Sequence, residues 1–421
     1  MSKTFREWNV DQPWLLPPSI NDFVPADHVA HFVRETVREA LDLRLIYLSY
    51  KGERGQPPFH PAMMVALLLY AYSQGIYASR RIAKACEERI DFMAVTGGEK
   101  PDFRTIAKFR QRHLPALRML FVQVLRLCRE SGLVELGHVA LDGTKIRANA
   151  SKHKAMSYAR MKETEPVLSK MVEDWMSQSR DSDDDDDRTH GPDRRGDETP
   201  SWMANKESRL EKLRAAKAAL EAEAEAAGKE APEDKAQRNF TDPESRIQKT
   251  KDGFIQGYNA QAAVDHANQI IVACDVGPSS ADNPQLVPMV EQIIGNTGAV
   301  PNELSADAGY IAEANLEALE AHGIDAYVAP GRQRHGKAAP AAAQPVTPQT
   351  RVGRMAQKLR DGAWGSPYHL RKVTVEPVFG QIKQARGFRQ FLMRGQEKVK
   401  AEWALVCTVH NLLKLATYAG R

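Results

Sequence analysis

The segment HVALDGTKIRA (residues 138–148) decides the fold class, because here the chain changes from helical to strand-like patterning. Apolar and β-branched residues lead up to Asp142, and a glycine follows it. This pattern is typical of a strand that ends at an acidic residue or turns just past it. A carboxylate among apolar residues is costly to bury without a partner. Asp142 is therefore a candidate functional residue.

Strand-like and helix-like segments alternate after this point. FIQGYNAQAAVDH (254–266) and QIIVACDVGP (269–278) predict a hairpin, and ELSADAGY (303–310) predicts a short strand that runs into Asp307. DAYVAP (325–330) predicts one more strand. Helices are expected after the hairpin, between the last two strands and over most of the C-terminal region. The alternation indicates an α/β core.

Residues 1–135 predict an all-helical domain that precedes an α/β domain over 136–421. Pro61 opens an apolar helix that Gly75 stops. Ser79 is a good N-cap for the next helix, which begins with Arg80 and Arg81. Two helices around a glycine turn resemble a helix-turn-helix in outline.

A second basic face lies further along the helical region. Asp102 is a possible N-cap, and three cations follow it at helical spacing: Arg104, Lys108 and Arg112. We interpret the region as DNA-binding. The alternative is a plain helical bundle with a solvated basic face.

A polar insertion at 150–240 interrupts the α/β domain. Residues 157–179 and 202–227 predict two helices, and the second carries a coiled-coil-like series of leucines, Leu210, Leu213 and Leu220. The two helices are expected to fold back as a hairpin. The run at 181–187 holds six aspartates and is interpreted as a solvated loop. A later segment, 332–349, is rich in alanine, proline and basic residues and predicts a flexible loop.

Composition excludes several other classes of protein. At 421 residues the chain is long enough for two or three domains. Its longest apolar run is too short to cross a bilayer, and its first residues lack the apolar core of a signal peptide. Its 4 cysteines are far apart with no CxxC pair, so neither a zinc finger nor a disulfide scaffold is indicated. A cytoplasmic protein with no membrane partner is expected.

The net charge of +4 understates how basic the C-terminal region is. Residues 351–421 contain 14 Lys and Arg against 4 Asp and Glu, a local excess of +10. Such a segment favours binding to a polyanion, most simply nucleic acid. Basic tails also occur on proteins that bind no nucleic acid, so charge alone does not decide the function.

The segment YHLRKVTVEPVFGQIK (368–383) places one carboxylate, Glu376, among basic residues. Ser366 and the proline after it predict a helix start. On that helix Lys372 and Lys383 share a face with Glu376, and Gly380 leaves a bare patch beside them. This arrangement suits a metal ion that contacts a phosphodiester. A surface helix with an i,i+4 ion pair is the simpler explanation of the segment taken alone.

Three acidic residues could form one site: Asp142, Asp307 and Glu376. In open α/β sheets, functional sites gather at the ends of strands. Two divalent ions held by such carboxylates, roughly 3.5–4 Å apart, can activate water and stabilise the leaving oxygen of a phosphodiester. Hard oxygen ligands favour Mg²⁺ or Mn²⁺ over zinc.

Several blocks of the sequence resemble the DDE transposases of bacterial insertion sequences. They are VALDGTKIRANAS (139–151), GFIQGYNAQAAVD (253–265), ADAGY (306–310) and YHLRKVTVEPVFGQIK. The most similar branch carries its glutamate in a Tyr-Arg-Glu-Lys signature. The likeness covers nearly the whole chain, including the helical region that ends in PDFRTIAKFR (101–110). It implies an RNase H-like catalytic core, a mixed sheet flanked by helices.

The resemblance also implies a function. The protein would bind the terminal inverted repeats of its element, partly through the N-terminal helices. It would cut a DNA strand with metal-activated water to leave a 3′-OH, and would join that end to target DNA, as a homodimer on the DNA. Asp142, Asp307 and Glu376 would hold Mg²⁺ or Mn²⁺, as two ions.

The signature match assigns the basic residues with one ambiguity. Tyr368 matches the tyrosine and Lys383 the lysine, which would contact a phosphate near the cut. Arg371 has the expected spacing from Tyr368, whereas Lys372 has the expected spacing from Glu376, so either fills the arginine position. Proline disfavours helix in the residue before it, so the proline after Glu376 predicts a kink or a restart of the helix.

Other polar residues have weaker claims. Asp265, Asp275 and Asp282 are minor candidates for metal ligands, and the last two are interpreted mainly as strand-end or helix caps. Arg246, Arg386, Arg389, Arg394, Lys398 and Lys400 are candidates for DNA contacts. Gln256, Tyr258, Asn259 and Gln261 are expected either to line a DNA groove or to form a solvated sheet face.

Two other functions remain open at this point. One is a nuclease on the same kind of core that does not transfer strands. The other is a non-catalytic DNA-binding protein derived from a transposase. The presence of all three acidic residues disfavours the second.

Overall fold

The computed structural model describes residues 19–50, 57–190, 201–250, 253–331 and 347–420, with side chains described outside 175–190 and 201–204. Most of the loop predicted at 332–349 lies outside the described residues. A mixed β-sheet forms the centre of the second part of the chain, which confirms the predicted α/β class.

Seven α-helices precede the sheet in the described part of the chain. They are α1 (Val29–Glu39), α2 (Arg44–Tyr47), α3 (Pro61–Ser73), α4 (Ser79–Glu88), α5 (Ile90–Thr96), α6 (Phe103–Arg112) and α7 (Leu114–Glu130). The apolar helix α3 is buried along almost its whole length, and α4, which has an exposed basic face, packs against α5 and α6. Ser79 is not an N-cap, contrary to prediction; its hydroxyl accepts a hydrogen bond from Arg110 instead, at 3.3 Å. Asp102 caps α6 as predicted, by accepting from the backbone of Arg104 and Thr105.

The main sheet has six strands in the order β4, β5, β1, β7, β8, with β6 also paired to β5. The strands are β1 (His138–Arg147), β4 (Arg246–Thr250), β5 (Gly253–Asp265), β6 (Ile271–Gly277), β7 (Glu303–Ala306) and β8 (Asp325–Val328). β5 runs antiparallel to β1, whereas β1, β7 and β8 are parallel. β1 continues past Asp142 because it remains paired with β5 as far as Arg147.

The insertion forms a helical hairpin, as predicted. Two short strands, β2 (Ala155–Ser157) and β3 (Gln237–Asn239), pair at its base, and α8 (Tyr158–His190) packs against α9 (Ser201–Ala226). Leu213 and its neighbours form a small hydrophobic core of their own with residues of α8. The aspartate run at 181–187 is helical, so its interpretation as a loop is wrong. Extending a helix that is already anchored by packing costs far less than starting one.

Five further α-helices surround the sheet in the described residues. They are α10 (Leu286–Thr297), α11 (Glu313–Ala321), α12 (Arg351–Gly362), α13 (Leu370–Gly380) and α14 (Gln396–Ala419). The buried helix α14 packs against β6 on one side and against α7 and α3 on another. The N-terminal helices and the sheet consequently share one hydrophobic core. None of the described helices is long and apolar enough to span a membrane.

Candidate active site

Two parallel strands bring Asp142 and Asp307 together. In the pairing of β1 with β7, Leu141 lies opposite Ala306, so each aspartate comes directly after the last pair of this register. Asp142 Oδ1 accepts from the backbone of Gly143 at 2.8 Å. Asp307 Oδ1 accepts from the backbone of Gly309 at 2.8 Å, which caps the short turn after β7.

The electrostatics of the two aspartates indicate that the positive charge beside them is too small to favour ionisation of both carboxyl groups. Burial raises the pKa of Asp142 to about 7 despite the neighbouring Arg371 guanidinium, and the Asp307 carboxylate adds to the rise. Burial likewise raises the pKa of Asp307, with a further contribution from the carboxylate of Asp282. Like charges that share a buried site disfavour ionisation, and a bound cation would reverse this.

Helix α13 packs against β1 and presents Arg371 to Asp142. Ser366 accepts from the backbone of Tyr368 and so caps the 3₁₀ turn that leads into the helix, as predicted. Arg371 Nη1 lies 2.6 Å from Asp142 Oδ2, and its Nη2 lies 3.5 Å from Glu376 Oε1. Arg371 is therefore an internal counterion between the two carboxylates.

Lys383 lies on the same side of β1 as Asp142. It follows α13 in a π-helical turn, Gln381–Ala385. Its ammonium donates to Thr144 Oγ1 at 2.8 Å, two residues along β1 from Asp142. Burial lowers the pKa of Lys383. The ammonium also donates to the backbone carbonyl of Lys145 at 3.3 Å. A partly buried cation held in this way is well placed to meet an anionic group that approaches the aspartates.

The helix does not restart at Pro377, which was one of the two predicted outcomes; it runs on to Gly380. Proline removes the backbone donor that would pair with the carbonyl of Val373. The side chain of Gln269, at the β5–β6 turn, donates to that carbonyl at 3.0 Å. The lost helical hydrogen bond is thus replaced from outside the helix, and the irregular turn comes only after Gly380.

The donor set suits a hard divalent cation, although its members are not gathered around one point. Among the described residues, no three His, Cys, Asp or Glu side chains are close enough to hold an ion together. Arg371 separates Glu376 from Asp142. Asp142 and Asp307 supply carboxylate oxygens at neighbouring strand ends, which Mg²⁺ and Mn²⁺ prefer. The residues therefore fit such an ion, provided that Arg371 gives up its contacts with the carboxylates.

A fourth carboxylate, Asp282, belongs to this region. Its Oδ1 accepts from Asn259 Nδ2 at 2.6 Å and from Gln261 Nε2 at 2.9 Å. It stands at the N-cap position of the short 3₁₀ turn that follows, as one of the two sequence interpretations had it, but its side chain makes no capping hydrogen bond there. Sequence reasoning gave Asp282 little weight because a loop, not a pattern, brings it to the strand ends. The available signal was the pair of amide side chains on β5, which need an acceptor if they are buried.

The polar residues of β5 are neither a DNA groove nor a solvated face. Gln256, Tyr258, Asn259 and Gln261 are all buried. Tyr258 donates to Asp242 at 2.8 Å and Gln256 to Ser245 at 2.8 Å. These polar side chains point into the protein. Their burial is tolerated because the loop before β4 and the loop that carries Asp282 supply hydrogen-bond partners.

Comparison with known protein families decides the identity of the fold. Residues 18–112 match the family described as "Transposase domain (DUF772)", and residues 226–412 match the family described as "Transposase DDE domain". The chain belongs to the DDE transposases of insertion sequences. Its mixed sheet flanked by helices is the RNase H-like fold that the resemblance implied. No curated protein and no solved structure gives a significant match.

The minor candidates for metal ligands, Asp275 and Asp265, and the candidate DNA contact Arg246 have partners elsewhere in the transposase. Asp275 pairs with Lys400 at 3.1 Å. Asp265 is buried and accepts from the backbone of Leu136 at 2.8 Å, just before β1. Arg246 pairs with Glu223 on α9 at 2.6 Å.

The residues around α13 that were predicted to contact DNA differ in exposure: some are exposed, and others are buried or partly buried. Lys372 is exposed, and Arg389 is exposed while donating to the carbonyl of Lys383 at 3.1 Å. Tyr368 is buried, with the Arg371 guanidinium 6.0 Å from its ring centroid. Arg386 is partly buried, and its guanidinium lies 3.3 Å from His410 Nδ1 on α14.

The predicted basic residues of the N-terminal helices lie on α4 and α6. Arg80, Arg81, Arg104 and Lys108 are exposed. The guanidinium groups of Arg80 and Arg104 lie 4.9 Å and 5.7 Å from the centroid of the Phe103 ring, which joins the starts of α4 and α6. We call these four basic residues the α4–α6 basic surface.

Proposed function

We propose that the transposase cuts DNA at the ends of its element and joins the resulting 3′-OH to target DNA, with Asp142, Asp307 and Glu376 as the catalytic carboxylates. The observation that carries the proposal is the position of the two aspartates just past the last paired residues of β1 and β7, with Arg371 of α13 joining Asp142 to Glu376. We assign the arginine position of the Tyr-Arg-Glu-Lys signature to Arg371, because Lys372 makes no contact with the acids among the described residues.

Asp142 and Asp307 would hold a first Mg²⁺ or Mn²⁺ ion, and Glu376 would contribute to a second. When bound, such ions supply an activated water and stabilise the leaving oxygen of an in-line displacement at phosphorus. In cleavage a new P–O bond forms from water as the bond to the 3′ oxygen breaks. In joining, the 3′-OH attacks a target phosphodiester: a new P–O bond forms, the bond from that phosphorus to the target 3′ oxygen breaks, and the proton of the attacking hydroxyl is balanced by the target 3′-OH that is released.

The basic residues around the acids would bind and orient the scissile phosphate. Lys383 is held 2.8 Å from Thr144 Oγ1, on the strand that carries Asp142. Arg371 is positioned to exchange its two carboxylate contacts for a phosphate when DNA and metal arrive. Positively charged groups fixed near a transferring phosphate stabilise its transition state with little reorganisation.

The remaining binding surface would come from the N-terminal helices. The α4–α6 basic surface offers exposed cations for the phosphates of the terminal inverted repeats. Joining two ends requires two sites, so we propose a homodimer on the DNA.

A single assay distinguishes strand transfer from simple cleavage. The protein is incubated with Mg²⁺ or Mn²⁺, labelled DNA that carries the ends of its element, and a supercoiled plasmid. The expected products are a cut end with a 3′-OH and labelled DNA joined to the plasmid. Cleavage without any joined product would instead support a nuclease, and no metal-dependent product at all would refute the proposal.

A further inference from the structure

Asp282 lies on the loop between β6 and α10, and its side chain reaches the glycines that follow Asp142 and Asp307. Its carboxylate adds to the raised pKa of both aspartates. Nothing in the Tyr-Arg-Glu-Lys pattern or the three-acid pattern assigns it a role.

Two buried amides fix the direction of the Asp282 carboxylate. Asn259 and Gln261, two residues apart on β5, both donate to its Oδ1. Gln261 is held in turn, because its side-chain oxygen accepts from Tyr310 and its carbonyl accepts from Trp403 Nε1 at 2.9 Å. With Oδ1 fully engaged, the second oxygen, Oδ2, is left for another partner.

Two glycines make room for this carboxylate. A Cβ atom at Gly143 would lie 2.7 Å from Asp282 Oδ1 and 2.6 Å from Gln261 Nε2. A Cβ atom at Gly309 would lie 2.7 Å from Asp282 Oδ2 and 3.0 Å from Asp307 Oδ1. Real Cβ atoms do not come so close to other atoms, so side chains at these positions would displace the carboxylate.

The space over Gly309 is bounded by two carboxylate oxygens. The Cβ position of Gly309 lies 2.7 Å from Asp282 Oδ2 and 3.0 Å from Asp307 Oδ1. The distance between these two oxygens therefore cannot exceed the sum of the two values. Divalent cations bind carboxylate oxygens at about 2.0–2.6 Å, so a small inward shift allows both oxygens to contact one ion. No Lys, Arg or His pairs with Asp282 among the described residues, so its charge is not otherwise balanced.

We propose that Asp282 is a fourth carboxylate of the metal site, which together with Asp307 holds a divalent cation over Gly309. The inference rests on the proposed function and extends its ligand set. Asp282 then stabilises the ion nearest Asp307, and Asn259 and Gln261 are positioning residues that aim it.

The test is Mn²⁺ binding to the full-length, DNA-free protein, followed by the electron paramagnetic resonance signal of free Mn²⁺. Asp282→Asn keeps an oxygen for Asn259 and Gln261 but removes the charge. Gly309→Ala fills the space without altering an acid. We expect each variant to lower Mn²⁺ affinity by roughly tenfold or more. In EDTA, the unfolding midpoint of Asp282→Asn should be no lower than that of the parent.

Two sets of controls make the outcomes distinct. Asp275→Asn removes a nearby acid that is already paired with Lys400, and should leave Mn²⁺ affinity unchanged. Asp142→Asn and Asp307→Asn should lose most of it. If these two lose Mn²⁺ but Asp282→Asn binds like the parent, Asp282 is not a ligand. If all three bind like the parent, the proposed active site itself is wrong.

Discussion

At the scale of single residues, the site is held together by opposing charges. Arg371 contacts both Asp142 and Glu376, and it is the cation nearest to the acids in the described structure. Its Nε has no hydrogen-bond partner although it is buried. A guanidinium in this place does in part what a divalent ion would do, so the two compete for the same oxygens.

Replacing Arg371 should therefore strengthen metal binding in the absence of DNA. At about pH 8, where Asp142 is ionised, we expect Arg371→Ala to raise Mn²⁺ affinity by roughly tenfold, equivalent to about 1.4 kcal/mol. The same variant should bind DNA more weakly. Lys372→Ala is the matched control, since Lys372 is exposed and should affect DNA binding alone. Equal or weaker Mn²⁺ binding by Arg371→Ala would contradict the counterion role.

The raised pKa of Asp142 predicts a pH-dependent cost of folding without metal. Its folded pKa is about 7, above that of an unfolded aspartate, so the folded state holds the proton more tightly. Stability from this group is present below the unfolded pKa and is lost as pH rises towards 7.

Urea unfolding in EDTA measures this cost. Compared with Asp142→Asn, the parent should lose free energy of unfolding as pH rises from about 4 to 7, on the order of 1 kcal/mol per pH unit at most. Added Mg²⁺ should remove the difference. A parallel pH dependence of parent and variant would show that Asp142 is not desolvated.

At the scale of elements, the sequence patterns predicted the positions of the strands well but predicted the side-chain contacts between elements poorly. Alternating apolar residues placed β1, β5 and β7 correctly, because strand periodicity is a local property. Asp282 was undervalued because its role depends on a loop that returns to β1 and β5. The polar residues of β5 were misassigned for the same reason, since partners from distant loops make their burial favourable.

Helix termini show a similar division. The caps at Asp102 and Ser366 are local and were predicted. The uninterrupted run of α13 through Pro377 was not, because Gln269, 104 residues before Val373 in the chain, donates to the Val373 carbonyl that Pro377 leaves without a helical donor. The sequence also favoured Lys372 as the partner of Glu376. In the structure Arg371 is that partner, and it contacts Asp142 at the same time.

The helical hairpin of the insertion has a separate core, which makes it a separate structural element. Leu213 is 1% exposed and packs with α8. Leu213→Ala should destabilise the hairpin by about 2–5 kcal/mol, while leaving Mn²⁺ binding at the acids unchanged. Hydrogen exchange measured along the chain would report faster exchange in α8 and α9 alone. Faster exchange throughout the sheet would show that the hairpin is part of the main core.

At the scale of the whole molecule, the N-terminal helices and the catalytic sheet share one hydrophobic core. The buried helix α14 lies between β6 and α7. Arg110, on α6, is buried and donates to the hydroxyl of Tyr72 and the carbonyl of Tyr77. Tyr77 in turn donates to the carbonyl of Arg386 at 2.9 Å. The basic helices are therefore fixed against the segment that carries Lys383.

A shared core predicts cooperative unfolding of the two parts. Val124, on α7, is fully buried. We expect Val124→Ala to lower the free energy of unfolding by about 1–3 kcal/mol and to shift the unfolding of helices and sheet together. Two separate transitions in a calorimetric scan, with only one of them shifted, would mean that residues 1–135 fold independently.

The central claim is that Asp142, Asp307 and Glu376 form the catalytic site of this transposase. The most direct measurement is metal-dependent cleavage of labelled element-end DNA by Asp142→Asn, Asp307→Asn and Glu376→Gln, with Asp275→Asn as the control acid. Each of the three should cut at least roughly 100-fold more slowly than the parent, with DNA binding retained, while the control cuts normally. Cleavage at the parental rate by any of the three would contradict the assignment.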